Sequence, residues 1–177
     1  MIVAMRGGKT IDVGVVGNEG LIGMPALAGL DRSPHRAVMQ IAGEGFRIRV
    51  SALPTALPSC PELQRMATQY AVIQRLQAAQ SAACNRLHGV EQRLARWLLL
   101  MYDRVADNSL PVTHDLLATM LGTDRPSVSL AASALQKKGA IEYTRGAVRI
   151  ANRERLEEAA CECYGVMQQF SSPRDFH

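Results

Sequence analysis

Between Pro61 and Gly89 the chain contains neither proline nor glycine, and this uninterrupted run limits the possible folds more than any other feature. Pro61 suits a first helical position, where its missing N–H is not needed. Leu63, Met66, Ala67, Tyr70, Ile73 and then Leu76 or Gln77 recur at spacings of three and four, the period of an amphipathic helix. A helix from Pro61 to Leu87 would be roughly 40 Å long at 1.5 Å per residue, too long for one small domain. Its small and polar centre, Gln77 to Ala83, lets another backbone approach closely. The rod therefore reads as a paired helix, with Met66, Tyr70, Ile73, Gln77, Gln80 and Cys84 as candidate dimerisation residues. The alternative is a helix packed only on the chain's own N-terminal domain.

The two sides of this rod differ in pattern. From Met1 to about Val50 the chain is rich in Gly and Val, and Thr10–Val15, Ala37–Ile41 and Phe46–Val50 alternate as short strands do. Turn signals stand at Arg6–Lys9 and at Gly43–Gly45. Three or four strands cannot close a barrel unaided, so an N-terminally shortened β-domain with uncovered edges is expected. After His88-Gly89 a second helix carries Val90, Leu94, Trp97, Leu98, Met101 and Val105 on one face. Asp107-Asn108-Ser109 is a turn cluster and Pro111 blocks helix continuation. The division that follows is residues 1–53 (β-domain), 54–108 (connector, long helix and second helix) and 109–177, in an α+β fold.

Residues 109–177 carry the sharpest local signals. Thr113 can cap a helix with apolar Leu116, Leu117, Met120 and Leu121, stopping at Gly122. Thr123-Asp124 caps a second helix, with Pro126 in its first turn, Val128, Ala131, Ala132 and Leu135 on its buried side, and Gly139 at its end. Ala118 is small where two crossing helices touch, and Gly122 can take the left-handed conformation a tight turn needs. These cues together specify a helix-turn-helix. Ala140–Thr144 and Ala147–Ile150 flank Arg145-Gly146 as a hairpin directly afterwards, which reads as a wing.

In a winged helix-turn-helix the second helix enters the major groove and the hairpin reaches the DNA backbone. Arg125 stands at the exposed N-terminus of that helix, where a guanidinium can make two hydrogen bonds to a guanine edge. Ser127, Ser129 and Ser133 lie on its polar side, Lys137 and Lys138 near its end, and Thr144 and Arg145 on the wing. Residues 111–177 are neutral overall, yet residues 123–153 carry a net charge of +4, with the acids Glu154, Glu157, Glu158 and Glu162 downstream. A basic reading surface followed by an acidic closing helix suits a polyanionic partner, as does the whole chain's +4.

Composition narrows the alternatives. With 47% hydrophobic and 20% charged residues in 177, the chain is neither a disordered polymer nor fibrous. Every apolar run is interrupted well short of a bilayer span, so no membrane role is expected. The four cysteines form no CxxC pair, and reduced thiols in a bacterial-type cytosol are the default. Cys161 and Cys163, as a lone C-x-C pair expected to point to different sides of a helix, make a poor metal-ligand set, and no metal or other cofactor is expected. Catalysis is discounted. His35, His88, His114 and His177 are scattered, and no nucleophile–base pairing, HExxH spacing or Walker-type loop is present. The competing reading of the winged domain is a ligand-sensing or protein-interaction module that binds a protein rather than DNA.

The segments Val112–Ser129 and Leu135–Ile141 resemble the DNA-binding domain of the Crp/Fnr family of bacterial transcription regulators. Gly17–Pro25 looks like part of that family's jelly-roll-like, cyclic-nucleotide-binding β-roll, and the long helix looks like its dimerisation helix. The resemblance covers nearly the whole chain, beginning partway into the roll. It implies a cytoplasmic homodimer that binds a near-palindromic operator in double-stranded DNA, with RNA polymerase as a candidate further partner. It makes Arg125 the base-reading arginine and puts Ser127, Ser129, His114 and Thr144 at or beside backbone-contact positions. Pro126 and Leu130 stand where the family often has Glu and a second Arg, so the DNA sequence preferred by other members does not carry over. The effector grip, a Gly-Glu followed by an Arg-Ser pair, would fall on Glu19 with Arg32-Ser33 or His35-Arg36, with Pro34 intervening. Cyclic AMP is therefore disfavoured.

Overall fold

The computed structural model describes residues 1–4, 10–105 and 108–170; the expected turn at Arg6–Lys9, Asp107 of the boundary cluster and His177 lie outside them. The chain opens with an antiparallel pair, β1 (Ile2–Ala4) and β2 (Thr10–Asp12), in which Val3 faces Ile11. A short helix α1 (Met24–Leu27) follows, and a second, α2 (Leu53–Ala56), lies between single 3-10 turns at Val50–Ala52 and Leu57–Ser59. Then comes α3 (Pro61–Leu87), with the bounds that its proline-free and glycine-free run predicts. His88 turns to extended backbone and α4 (Val90–Tyr102) begins.

The remaining elements are β3 (Ser109–Leu110), α5 (His114–Leu121), α6 (Arg125–Lys137), β4 (Ile141–Thr144), β5 (Ala147–Ile150), α7 (Arg153–Ala159) and α8 (Cys163–Gln168). Their caps follow the sequence. Thr113 Oγ1 accepts from the Leu116 N–H at 3.2 Å, Asp124 Oδ1 from the Ser127 N–H at 2.8 Å and Asn152 Oδ1 from the Arg155 N–H at 2.9 Å. Gly122 closes α5 in the left-handed region at φ 61 and ψ 41, which frees the chain to turn sharply into α6. Strands β3, β5 and β4 form one antiparallel sheet in that spatial order, with Tyr143 opposite Val148 and Glu142 opposite Arg149.

One hydrophobic core holds these elements together. Leu94 and Leu98 of α4, Leu117 of α5, Val128 and Leu135 of α6, Ile141, Val148 and Leu156 are all buried in it. Helix α4, grouped with the connector by its position before the turn cluster, thus packs into the same core as the winged domain, mainly against α6 and α7.

The small sheets and the long helix match the expected α+β architecture with a partial β-roll. Neither of the expected strands at Ala37–Ile41 and Phe46–Val50 forms: a single bridge pairs Arg36, just before the first, with Ile2, and Val50 at the end of the second opens a 3-10 turn. Met39 is 76% exposed, and Phe46 is fully so. Alternation marks a strand only where a neighbouring edge can take its hydrogen bonds, and the three-residue β1–β2 pair offers little edge.

Candidate nucleic-acid interface

Helix α6 divides its residues cleanly. Val128, Ala131, Ala132 and Leu135 face the core, while Pro126, Leu130, Ser133 and Lys137, spaced four, three and four apart, are exposed in a row. Leu130 is 74% exposed, an unusual position for a leucine unless something apolar is to meet it. Arg125 begins the helix in solvent, its guanidinium 3.5 Å from Asp115 of α5. The capping bonds also restrain the first turn of α6, since the Ser127 hydroxyl donates to Asp124 Oδ2 at 3.0 Å. The Ser127 N–H bond, followed by that of its hydroxyl, holds the Asp124 carboxyl below its ordinary range.

His114 and Ser129, expected near backbone contacts, are turned toward each other. Ser129 Oγ lies 3.0 Å from His114 Nδ1, and the imidazole is centred 4.2 Å from the Tyr143 ring of the wing. Burial, reinforced by the nearby Arg125, lowers the His114 pKa, while Asp115 opposes the shift. The neutral ring thus ties α5, α6 and β4 into one body.

On the wing, Gly146 takes φ 87 and turns the hairpin at Arg145. Thr144 and Arg145 are exposed at the tip of the hairpin, with the Thr144 hydroxyl 3.4 Å from the Ala147 carbonyl. Several cations of this basic segment are occupied. Arg149 pairs across the hairpin with Glu142, Lys138 with Glu91, and Arg153 with both Asp103 and Glu157 while lying over the Tyr102 ring. Among the described residues, Lys137 and Arg145 have no ion-pair partner, and both are exposed.

The dimerisation candidates separate into two groups. Tyr70 and Ile73 pack against Val16, Leu21 and Met24 of the same chain, and Cys84 is fully buried. Burial, together with the Glu19 carboxylate, pushes the Tyr70 hydroxyl up to about 12. Gln80 donates to Cys163 Sγ at 3.1 Å, Gln77 is half-buried and Met66 is exposed. A different stripe faces solvent: Val72, Leu76, Ala79, Ala83 and Leu87, with Leu87 75% exposed. Its four-three-four-four spacing was present in the sequence, but the stronger stripe through Tyr70 and Ile73 concealed it.

The effector candidates do not converge. Glu19 is committed to a buried ion pair with Arg104 at 2.9 Å, whereas Arg32, Ser33 and Arg36 are exposed. A cleft of about 780 Å³ does lie between α3 and the N-terminal segment, lined among others by Leu21, Met24, Gln64 and Gln74; of the candidates Ser33 and His35 reach it, and Glu19, Arg32 and Arg36 do not.

The thiols require a correction. Cys161 precedes α8 rather than lying within it, so Cys161 and Cys163 do not point apart as they would on a helix. Both are buried, and both meet Cys84 and His88 at the end of α3. Among the described residues, no helix is long and apolar enough to cross a membrane.

Comparison with known proteins agrees with this geometry. Residues 92–159 match the Crp-like helix-turn-helix domain. A CRP/FNR-family transcriptional regulator from Thermus thermophilus aligns over 90% of this chain and 81% of its own, with a TM-score of 0.65 and 19% identity. FixK2 from Bradyrhizobium japonicum aligns over 64% of this chain and 60% of its own, at 0.58 and 20%. A CooA mutant from Carboxydothermus hydrogenoformans aligns over 62% and 54%, at 0.52 and 17%. The chain thus spans about three-fifths or less of the FixK2 and CooA proteins. At these identities the likeness is one of fold. No curated protein sequence matches the chain significantly.

Proposed function

We propose that the protein is a sequence-specific, DNA-binding transcriptional regulator that acts as a homodimer; its residues 92–159 match the Crp-like helix-turn-helix domain, and its fold is similar to that of a CRP/FNR-family regulator. The observation that carries this reading is the solvent row Pro126, Leu130, Ser133 and Lys137 on α6, headed by Arg125 and followed in the chain by a hairpin with Thr144 and Arg145 exposed at its tip. Arg125 would leave Asp115 to donate two hydrogen bonds to a guanine edge, and Leu130 would meet a thymine methyl group. Lys137, Arg145 and the hydroxyls of Ser127, Ser133 and Thr144 would contact phosphate and fix the register. His114 and Ser129 would support the reading helix from behind, through their mutual hydrogen bond.

Two copies would pair along Val72, Leu76, Ala79, Ala83 and Leu87 of α3. That face is apolar, small in its centre and exposed, as a close helix pair requires. Symmetric pairing would set the two reading helices about one turn of DNA apart, roughly 34 Å, and call for a near-palindromic operator.

Selection of duplexes from a random pool, followed by affinity measurement, tests the proposal. Enriched sites should be palindromic, and Arg125→Ala should cost about 1–3 kcal/mol and relax preference at one base pair in each half-site. Absence of binding to any duplex at low salt would refute it.

A further inference from the structure

The geometry points to a closed, mononuclear zinc site formed by Cys84 and His88 at the end of α3 with Cys161 and Cys163 at the start of α8. One donor atom from each of these four residues lies within 4.8 Å of all the others. Cys84 and Cys161 Sγ are 3.5 Å apart, and Cys163 Sγ is 3.7 Å from His88 Nδ1. A tetrahedral zinc with ordinary bond lengths sets sulfur–sulfur edges of about 3.8 Å and sulfur–nitrogen edges of about 3.6 Å. The measured contacts already match two edges, and the widest needs a contraction of about 1 Å on that scale. Iron–sulfur clusters spread their cysteines over several metal atoms, so a set this tight suits a single ion. Three soft thiolates and one imidazole select zinc over the harder divalent ions.

The surroundings are arranged for such an ion. His88 Nε2 lies 3.2 Å from Glu162 Oε2, an arrangement in which an Nε2–H donates to the carboxylate and Nδ1 is free to face the sulfurs. Gln80 donates an N–H to Cys163 Sγ, the kind of bond that holds a thiolate in place. Arg93 and Arg96 of α4 are buried and interact electrostatically with Cys84 and Cys161, and among the described residues neither has a carboxylate partner. Two buried guanidiniums need a nearby negative charge. Zinc with three thiolates and a neutral imidazole carries one net negative charge, which supplies it. Binding would release the three thiol protons to solvent, with no change of oxidation state. The ion would clamp the acidic C-terminal segment to the end of the long helix, fixing the reading domain relative to the stalk.

The full-length chain, purified reduced and freed of metal, is titrated with Zn²⁺ and with Co²⁺ as a spectroscopic probe. One zinc per chain should survive dialysis, and cobalt should give the intense visible bands of a tetrahedral site together with thiolate-to-cobalt charge transfer. Cys163→Ser and His88→Gln should abolish that spectrum. Glu162→Gln, at an exposed position that leaves folding intact, should weaken binding roughly 10-fold to 100-fold, and Cys60→Ser should change nothing. A pale octahedral cobalt spectrum, zinc retention unaltered by Cys163→Ser, or a Cys84–Cys161 disulfide forming while equimolar zinc is present would overturn the assignment.

Discussion

Gly122 and His114 lie at opposite ends of α5, and both hold α6 in place. At φ 61 and ψ 41, Gly122 occupies backbone space that costs an L-residue roughly 1–2 kcal/mol. A Cβ there would also come 2.6 Å from Ile11 Cδ1, a contact that the isoleucine tip can relieve by moving. Gly122→Ala should therefore lower stability by about 1–2 kcal/mol, read as a shifted urea midpoint at unchanged slope. His114 predicts a pH effect. Its folded pKa is depressed below the ordinary 6.5, chiefly by burial, so the folded state favours the neutral ring. The resulting stability is present above that ordinary value and is lost as pH falls through the lower folded one. Urea midpoints measured from pH 7.5 to pH 5 should fall more steeply for the parent chain than for His114→Gln, and equal slopes would remove this role.

At the scale of elements, the shared core makes α4 part of the winged helix-turn-helix domain. Leu135 of α6 is fully buried and clustered with Leu94 and Leu98 of α4. Leu135→Ala should cost about 2–5 kcal/mol, and Trp97 fluorescence on α4 should report the same unfolding transition as the helical signal of the whole domain. Which elements were legible from sequence follows from the range of their interactions. Helices α5 and α6 and the wing are specified by caps, glycines and periods within a few residues of each other, so Thr113, Asp124, Gly122 and Gly146 announce them. The expected strands at 37–41 and 46–50 depended on partner edges supplied from elsewhere, which no local alternation can guarantee. The two stripes of α3 were both written in its sequence, but only tertiary contact reveals that Tyr70 and Ile73 face Val16 and Leu21. Likewise Cys84 and Cys161, 77 residues apart, meet only because α8 returns to the end of α3.

For the whole molecule, the link between the stalk and the reading surface can be measured as an ion count. Each phosphate neutralised by a cation contributes about 0.9 to the slope of log affinity against log salt. Lys137 has no ion-pair partner among the described residues and lies exposed near the end of α6, so Lys137→Gln should remove one such contact per protomer. In a homodimer engaging both half-sites the slope should shrink by about 1.8, whereas a single bound protomer would lose only about 0.9. The stalk can be tested in the same experiment. Leu76→Glu puts charge into the exposed apolar stripe of α3 and, if the proposed pairing holds, should convert a sedimenting dimer to a monomer. Binding to a single half-site should then survive with about half the parent slope, while the advantage of the palindrome disappears. If Leu76→Glu left both the sedimentation and the slope unchanged, pairing would have to run through another surface, even with the reading helix correctly assigned.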